Sequence, residues 1–221
     1  MGRHLQSILL GFLAFAGLSN VAGAGTLSSS NGNSTAATFV PPSDGPPAGR
    51  VGAGTRETEA LDNGLIKLIV PAGGGKTANG SPTLVWAFSQ NVDGELRLEL
   101  SEARSQKPWL TFRETGQWKA GLTGLSLADF GIAMTKGQIL HWKMSFLPAD
   151  GSGPEPAVGS FVEFISTDPP QADAASAMRA FAASGLWFDA LAAGIRLSAL
   201  DTIEMTDPAN VEALLASAGA E

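Results

Sequence analysis

Between Leu61 and Thr167 the apolar residues recur at every second position, and Gly, Pro, Asn and Asp fill the intervals. That period predicts strands with one face turned to an apolar interior and the other to water. Leu84, Trp86 and Phe88 share one face against Thr83, Val85, Ala87 and Ser89, and Leu96, Leu98 and Leu100 share one against Arg97, Glu99 and Ser101. Leu110 and Phe112 oppose Thr111 and Arg113, while Leu140, Trp142, Met144 and Phe146 oppose His141, Lys143 and Ser145. With Leu65 to Val70, Leu122 to Leu127 and Phe161 to Ile165, the pattern predicts about seven short strands, and Asn91-Val92-Asp93-Gly94 reads as a hairpin turn. The fold class is mainly β with a C-terminal α segment: an antiparallel immunoglobulin-like β-sandwich over residues 61–167. A parallel α/β sheet is disfavoured, because its strands are apolar on both faces.

The period changes after Thr167. Asp168-Pro169 and Asp207-Pro208 each set a capping carboxylate before a proline at the first helical position, which predicts helix starts. The first helix buries Met178 and Phe181 and stops at Gly185; a second runs from Leu186 to about Leu200; a third holds Val211, Leu214, Leu215 and Ala218 at helical spacing. Short, alanine-rich helices gain little stability alone, so residues 168–221 are expected to pack on the sandwich.

Upstream, Arg3 and His4 precede an apolar run from Ile8 to Leu18, and Ala22-Gly23-Ala24 supplies the small residues of a cleavage site. Residues 1–24 therefore read as a secretory signal; the apolar run is shorter than the ~20 residues a bilayer crossing needs, so no span is expected after cleavage. Residues 25–60, dominated by Gly, Ser, Asn, Thr and Pro, read as a flexible tether, with Gly49 to Arg56 as the stretch suited to docking. The 221 residues include 14 Lys and Arg against 21 Asp and Glu, a formal charge of -7 without basic clusters. That balance argues against a nucleic-acid partner. Cysteine is absent, which excludes disulfides, thiol nucleophiles and Cys-ligated metals.

Each candidate for chemistry has a plainer reading. Gly73-Gly74-Gly75-Lys76-Thr77 ends like a phosphate-binding loop but has Val70 where the first glycine belongs, and reads as a flexible surface turn. Gly52-Ala53-Gly54 lacks the third glycine of a dinucleotide fingerprint, at Glu57; its flanking Arg50 and Arg56 suit an anionic group or merely punctuate a turn. His141, the one imidazole left after cleavage, lies on a polar strand face with no identifiable triad partner and reads as a surface residue. The carboxylate pairs Glu57/Glu59, Glu99/Glu102 and Asp168/Asp173 establish no cleft geometry by spacing, and Asn91 to Glu95 lacks the further ligands of a calcium loop. No cofactor or metal is called for. Of the five tryptophans, Trp86 and Trp142 fall on core faces. Trp109 and Trp118 are candidates for a pair of exposed indoles that stack on sugar rings or anchor a partner. Trp187 and Phe188 put aromatic bulk on two faces of the second helix, for core packing or a docking groove.

The ordered set of Gly49-Arg50-Val51-Gly52-Ala53-Gly54-Thr55-Arg56, Pro82-Thr83-Leu84-Val85-Trp86, Lys136-Gly137 with Trp142, and Gly185-Leu186-Trp187-Phe188-Asp189-Ala190-Leu191 resembles a secreted bacterial family, mostly cyanobacterial, known as domain of unknown function 928. The similarity runs from about Phe39 to Gly219, departs from the family in lacking cysteines and in having Phe188 where tyrosine is usual, and implies location and layout without an activity. Taken together, the residues favour an exported, periplasmic or extracellular, non-catalytic binding or adaptor module that recognises an envelope protein or glycan. The alternatives are a carbohydrate-active hydrolase using paired carboxylates, and a structural envelope protein that self-assembles.

Overall fold

A computed structural model describes residues 36–48, 64–105, 107–151, 155–168, 170, 172–173, 176–198 and 202–219. The expected signal, most of the expected tether including Arg50 and Arg56, and the pair Glu57/Glu59 lie outside the described residues. The described residues are mainly β, with ten strands and three α-helices in their C-terminal part. A three-stranded antiparallel sheet has the order β1 (Ile66–Leu68), β3 (Thr83–Phe88), β6 (Gly121–Ser126). A five-stranded sheet has the order β2 (Gly75–Thr77), β8 (Ala157–Phe164), β7 (Ile139–Pro148), β4 (Val92–Glu102), β5 (Leu110–Trp118).

The alternation in the sequence is the alternation in space. Leu96, Leu98 and Leu100 of β4 stand in register with Phe146, Met144 and Trp142 of β7, and all six are buried. The facing sheet contributes Phe88, whose ring lies 5.8 Å from that of Phe146 and 6.0 Å from that of Trp118. Rings from β3, β5 and β7 thus meet in one apolar interior.

Four expectations are corrected. Asn91 to Gly94 is no hairpin turn: β3 and β4 belong to different sheets, and the Asn91 side chain accepts from the Ala120 amide at 2.8 Å, tying together the two crossings between them. The sheets are not wholly antiparallel, since β2 runs parallel to β8. The second helix is short: helix α1 (Ala177–Ala183) and helix α2 (Trp187–Gly194) are followed by the hairpin of β9 (Ile195–Ser198) and β10 (Thr202–Met205), then by helix α3 (Pro208–Ala218). Gly194 sits so close to Met178 and Val211 that a side chain there would collide with both, and the chain leaves α2 into the β-branched Ile195. The first helix starts at Ala177 rather than near Asp168, and Asp173 accepts the Ser176 amide just ahead of it at 2.8 Å. Asp207 caps α3 as expected, accepting from the Asn210 amide at 3.3 Å with Pro208 behind it.

Residues 36–48 also depart from the tether reading. Ala37, Phe39 and Ala48 are buried, and backbone amides of this segment donate to Asn210, Ser217 and the Ala182 and Gly73 carbonyls at 2.8 to 3.0 Å. Phe39 meets Trp187 edge to face at 5.2 Å. That one aromatic contact and the four backbone hydrogen bonds offset the ordering of a segment that composition alone marks as loose. Trp187 is fully buried, donates its indole N–H to the Ile69 carbonyl at 2.9 Å, and rests on the bare backbone of Gly75. We predict that Trp187→Ala lowers unfolding free energy by about 3–5 kcal/mol in urea titrations, whereas Trp109→Ala, at an exposed position, shifts it by under about 0.5 kcal/mol.

Candidate functional site

The two sheets differ in what covers their outer faces. On the three-stranded sheet, Val85 is buried and stands in register with Gly124; a side chain at Gly124 would meet Ile203 and Leu197 of the β9–β10 hairpin at 3.0 and 3.1 Å. The hairpin therefore closes that face. On the five-stranded sheet the outer rows of β4, β5 and β7 reach water: Thr111, Arg113, Thr115 and Lys143 are exposed, and Glu95, Arg97, Glu99 and His141 are half-buried. This polar face is the candidate ligand surface.

Register assembles it from distant segments. Thr111, Glu99, Lys143 and Gly159 form one row across β5, β4, β7 and β8, and Ser101, His141 and Phe161 form the next. The His141 ring lies over Gly159, with Nε2 2.7 Å from where a Cβ would stand, and the same ring packs on Phe161 at 4.9 Å. His141 is on the polar strand face as expected, but it is wedged rather than free. Further along, Arg97 bridges Glu95 and Glu155 at 3.3 and 3.2 Å, and Ser145 donates to Glu155 at 2.6 Å. Such a lattice of half-buried ion pairs adds little stability and mainly holds the polar groups in place.

Trp109 borders this face. Its amide donates to the Leu100 carbonyl at 2.9 Å, immediately before β5, and 48% of the residue is exposed. Trp118, expected as its companion, is instead buried at 6% exposure, with its indole N–H 3.3 Å from the Gly94 carbonyl. It stands at the far end of β5 on the inner row, in register with Val92, so the exposed pair of indoles is not formed. Trp187 and Phe188 are likewise interior and leave no aromatic groove on α2.

Two ionic features of the face's β2 end escaped the sequence reading. The Gly73–Thr77 segment is not a surface turn: Gly74 backs so tightly onto the Phe161 carbonyl that a side chain is excluded, and Gly75, Lys76 and Thr77 are buried in β2. Buried Lys76 pairs with Asp44 of the N-terminal segment and stands in register beside buried Glu163. The glycines thus serve close backbone approach, and the buried lysine reaches a carboxylate that is itself exposed. Asp189, in the first turn of α2, accepts the Ala78 amide at 2.9 Å and fixes the chain leaving β2. Burial pushes its carboxyl above the ordinary value of 3.8, against the opposing pull of hydrogen bonds from Ala78, Thr77 and its own amide. The other carboxylate candidates have separate tasks: Glu102 accepts from Gln138 at 2.7 Å, and Asp173 precedes α1. Among the described residues, no three His, Asp or Glu side chains converge as metal ligands, and no helix is long and apolar enough to cross a membrane.

Among comparisons with known proteins, the family model described as Domain of Unknown Function (DUF928) matches residues 51–221, and no curated protein matches the chain. The match begins after residues 36–48, whose contacts with α1, α3 and β2 make them part of the same folded body.

A carboxyl whose folded-state value is raised binds protons more readily in the native than in the unfolded chain, so its contribution is most favourable below 3.8 and is lost as pH rises through the folded value. Asp189→Asn keeps an acceptor for Ala78 and removes the buried charge. Its stability relative to the parent, followed by thermal melts from pH 3 to 8, should therefore rise with pH. Asp189→Ala should cost about 1–3 kcal/mol at pH 7 by leaving the Ala78 amide unmet.

Proposed function

We propose that this chain, which belongs to the DUF928 family of unknown function, is an exported, non-catalytic binding module of the cell envelope, and that it holds an envelope glycan against the outer face of its five-stranded sheet. The observation that carries this reading is Trp109, an exposed indole bordering rows of hydroxyl, carboxylate and ammonium groups set by strand register. A sugar ring has an apolar face that stacks on an indole and a rim of hydroxyls that suits such rows. The leader-like residues 1–24 support delivery outside the cytosol. The alternation that suggested an immunoglobulin-like sandwich supports the same assignment, because two sheets with a shared apolar interior leave an outer face for a ligand.

The test is capture of envelope glycans on immobilised protein, compared between the parent and Trp109→Ala. Loss of about tenfold or more in affinity is expected for an aromatic anchor, with Trp118→Phe retaining capture because Trp118 lies in the interior. Equal capture by the parent and Trp109→Ala would discard the surface. Binding that survives complete glycan digestion of the extract would reassign it to a protein partner.

A further inference from the structure

The ends of the two sheets are unequally protected. Strands β1 and β2 are three residues long, and β6, of six residues, carries the β9–β10 hairpin against Gly124. Strand β5 is different: nine residues in unbroken register with β4, no proline within it, and, among the described residues, the last place in its sheet. A long, regular edge of this kind is a template for pairing with another strand. Apolar surface also runs along it. Leu110 and Phe112 are only half-buried where their register partners Leu100 and Leu98 are fully buried, and Phe130, itself 38% exposed, rests edge-on against Phe112 at 5.2 Å.

We propose that β5 pairs antiparallel with β5 of a second copy of this chain about a two-fold axis at Thr111, joining two five-stranded sheets into one. The occupant follows from self-complementarity. With Thr111 opposite itself, Leu110 faces the partner copy's Phe112 and Trp109 faces the partner copy's Arg113, each contact made twice. Arg113 is exposed, and a guanidinium over an indole is a favourable pairing. Centring on Phe112 sets Leu110 against Glu114; centring on Arg113 or Glu114 sets like charges together. Centring on Thr115 leaves Trp109 and Leu110 in water. Pro108, which has no N–H to donate, ends the Thr111-centred ladder. The joined sheets present one continuous outer face with a Trp109 on either side of the axis. The pairing does not depend on what that face binds.

The cysteine-free sequence allows a direct test on the full-length chain. Thr111 and Thr115 are both exposed on the same row of β5. Thr111→Cys brings two thiols opposite each other at a Cα separation of about 4.5–5.5 Å, within disulfide range, whereas Thr115→Cys leaves them eight residues, roughly 26 Å, apart. Mild oxidation should give a reducible species of twice the mass for Thr111→Cys and none for Thr115→Cys. Sedimentation of the unmodified chain should show a dimer, and Arg113→Glu should weaken its association by about tenfold or more. A parent that stays monomeric up to about 100 μM, cross-linking at Thr115 equal to that at Thr111, a dimeric parent whose folded Thr111→Cys variant does not cross-link, or a dimer indifferent to Arg113→Glu would each overturn the proposal.

Discussion

The architecture depends on one docking event, the seating of Trp187 on the bare backbone of Gly75. A Cβ at Gly75 would lie 3.0 Å from the Trp187 Cβ and 3.1 Å from the Phe188 ring, so glycine lets α2 approach the strand without displacing either side chain. Once seated, the indole N–H meets the Ile69 carbonyl, Phe39 closes over the ring, and Asp189 two residues on takes the Ala78 amide. One side chain therefore joins three stretches far apart in sequence: the N-terminal segment, the run from Ile69 to Gly75, and α2. The helices are for this reason part of the interior rather than a cap laid upon it, with Trp187, Phe188, Ala190 and Leu191 in the same apolar cluster as Leu98 and Trp142.

That arrangement has an electrostatic consequence. Packing α2 and residues 36–48 around β2 takes Lys76, Glu163 and much of Asp189 out of water, which is costly for ions unless partners are supplied. Asp44 answers Lys76, and the Ala78 amide answers Asp189. The buried charge of the fold is thus concentrated at β2, while the outer rows of β4 and β5 reach water. The β9–β10 hairpin then decides which of the two outer faces is available, because it occupies the three-stranded sheet and leaves the five-stranded one to water.

The extent of the candidate surface was partly legible. The outward positions of Thr111, Arg113, Glu99 and Lys143 follow from a period of two, and Trp109 was a candidate from the same pattern. Trp118 misled because burial at a strand end depends on the facing sheet: Phe88 meets its ring from across the interior, and the Gly94 carbonyl takes its N–H. His141 was placed on the right face, yet its contact with Phe161 and its position over Gly159 require knowing that β8 lies beside β7. The Gly73–Thr77 segment looked like punctuation, since three glycines in a row carry no side-chain signal for a strand.

What the sequence determined by itself was everything governed by neighbours a few residues away: the strand period, the inward leucines of β4, the apolar row of β7, the capping of α3 by Asp207, and the family to which residues 51–221 belong. What only the tertiary structure decided was the parallel pairing of β2 with β8, the assignment of β3 and β4 to different sheets, the end of α2 at Gly194, and the ordering of residues 36–48. The physical reason is common to all four. Each depends on a surface supplied from far along the chain, against which a locally weak or ambiguous segment gains enough burial and hydrogen bonding to adopt one conformation.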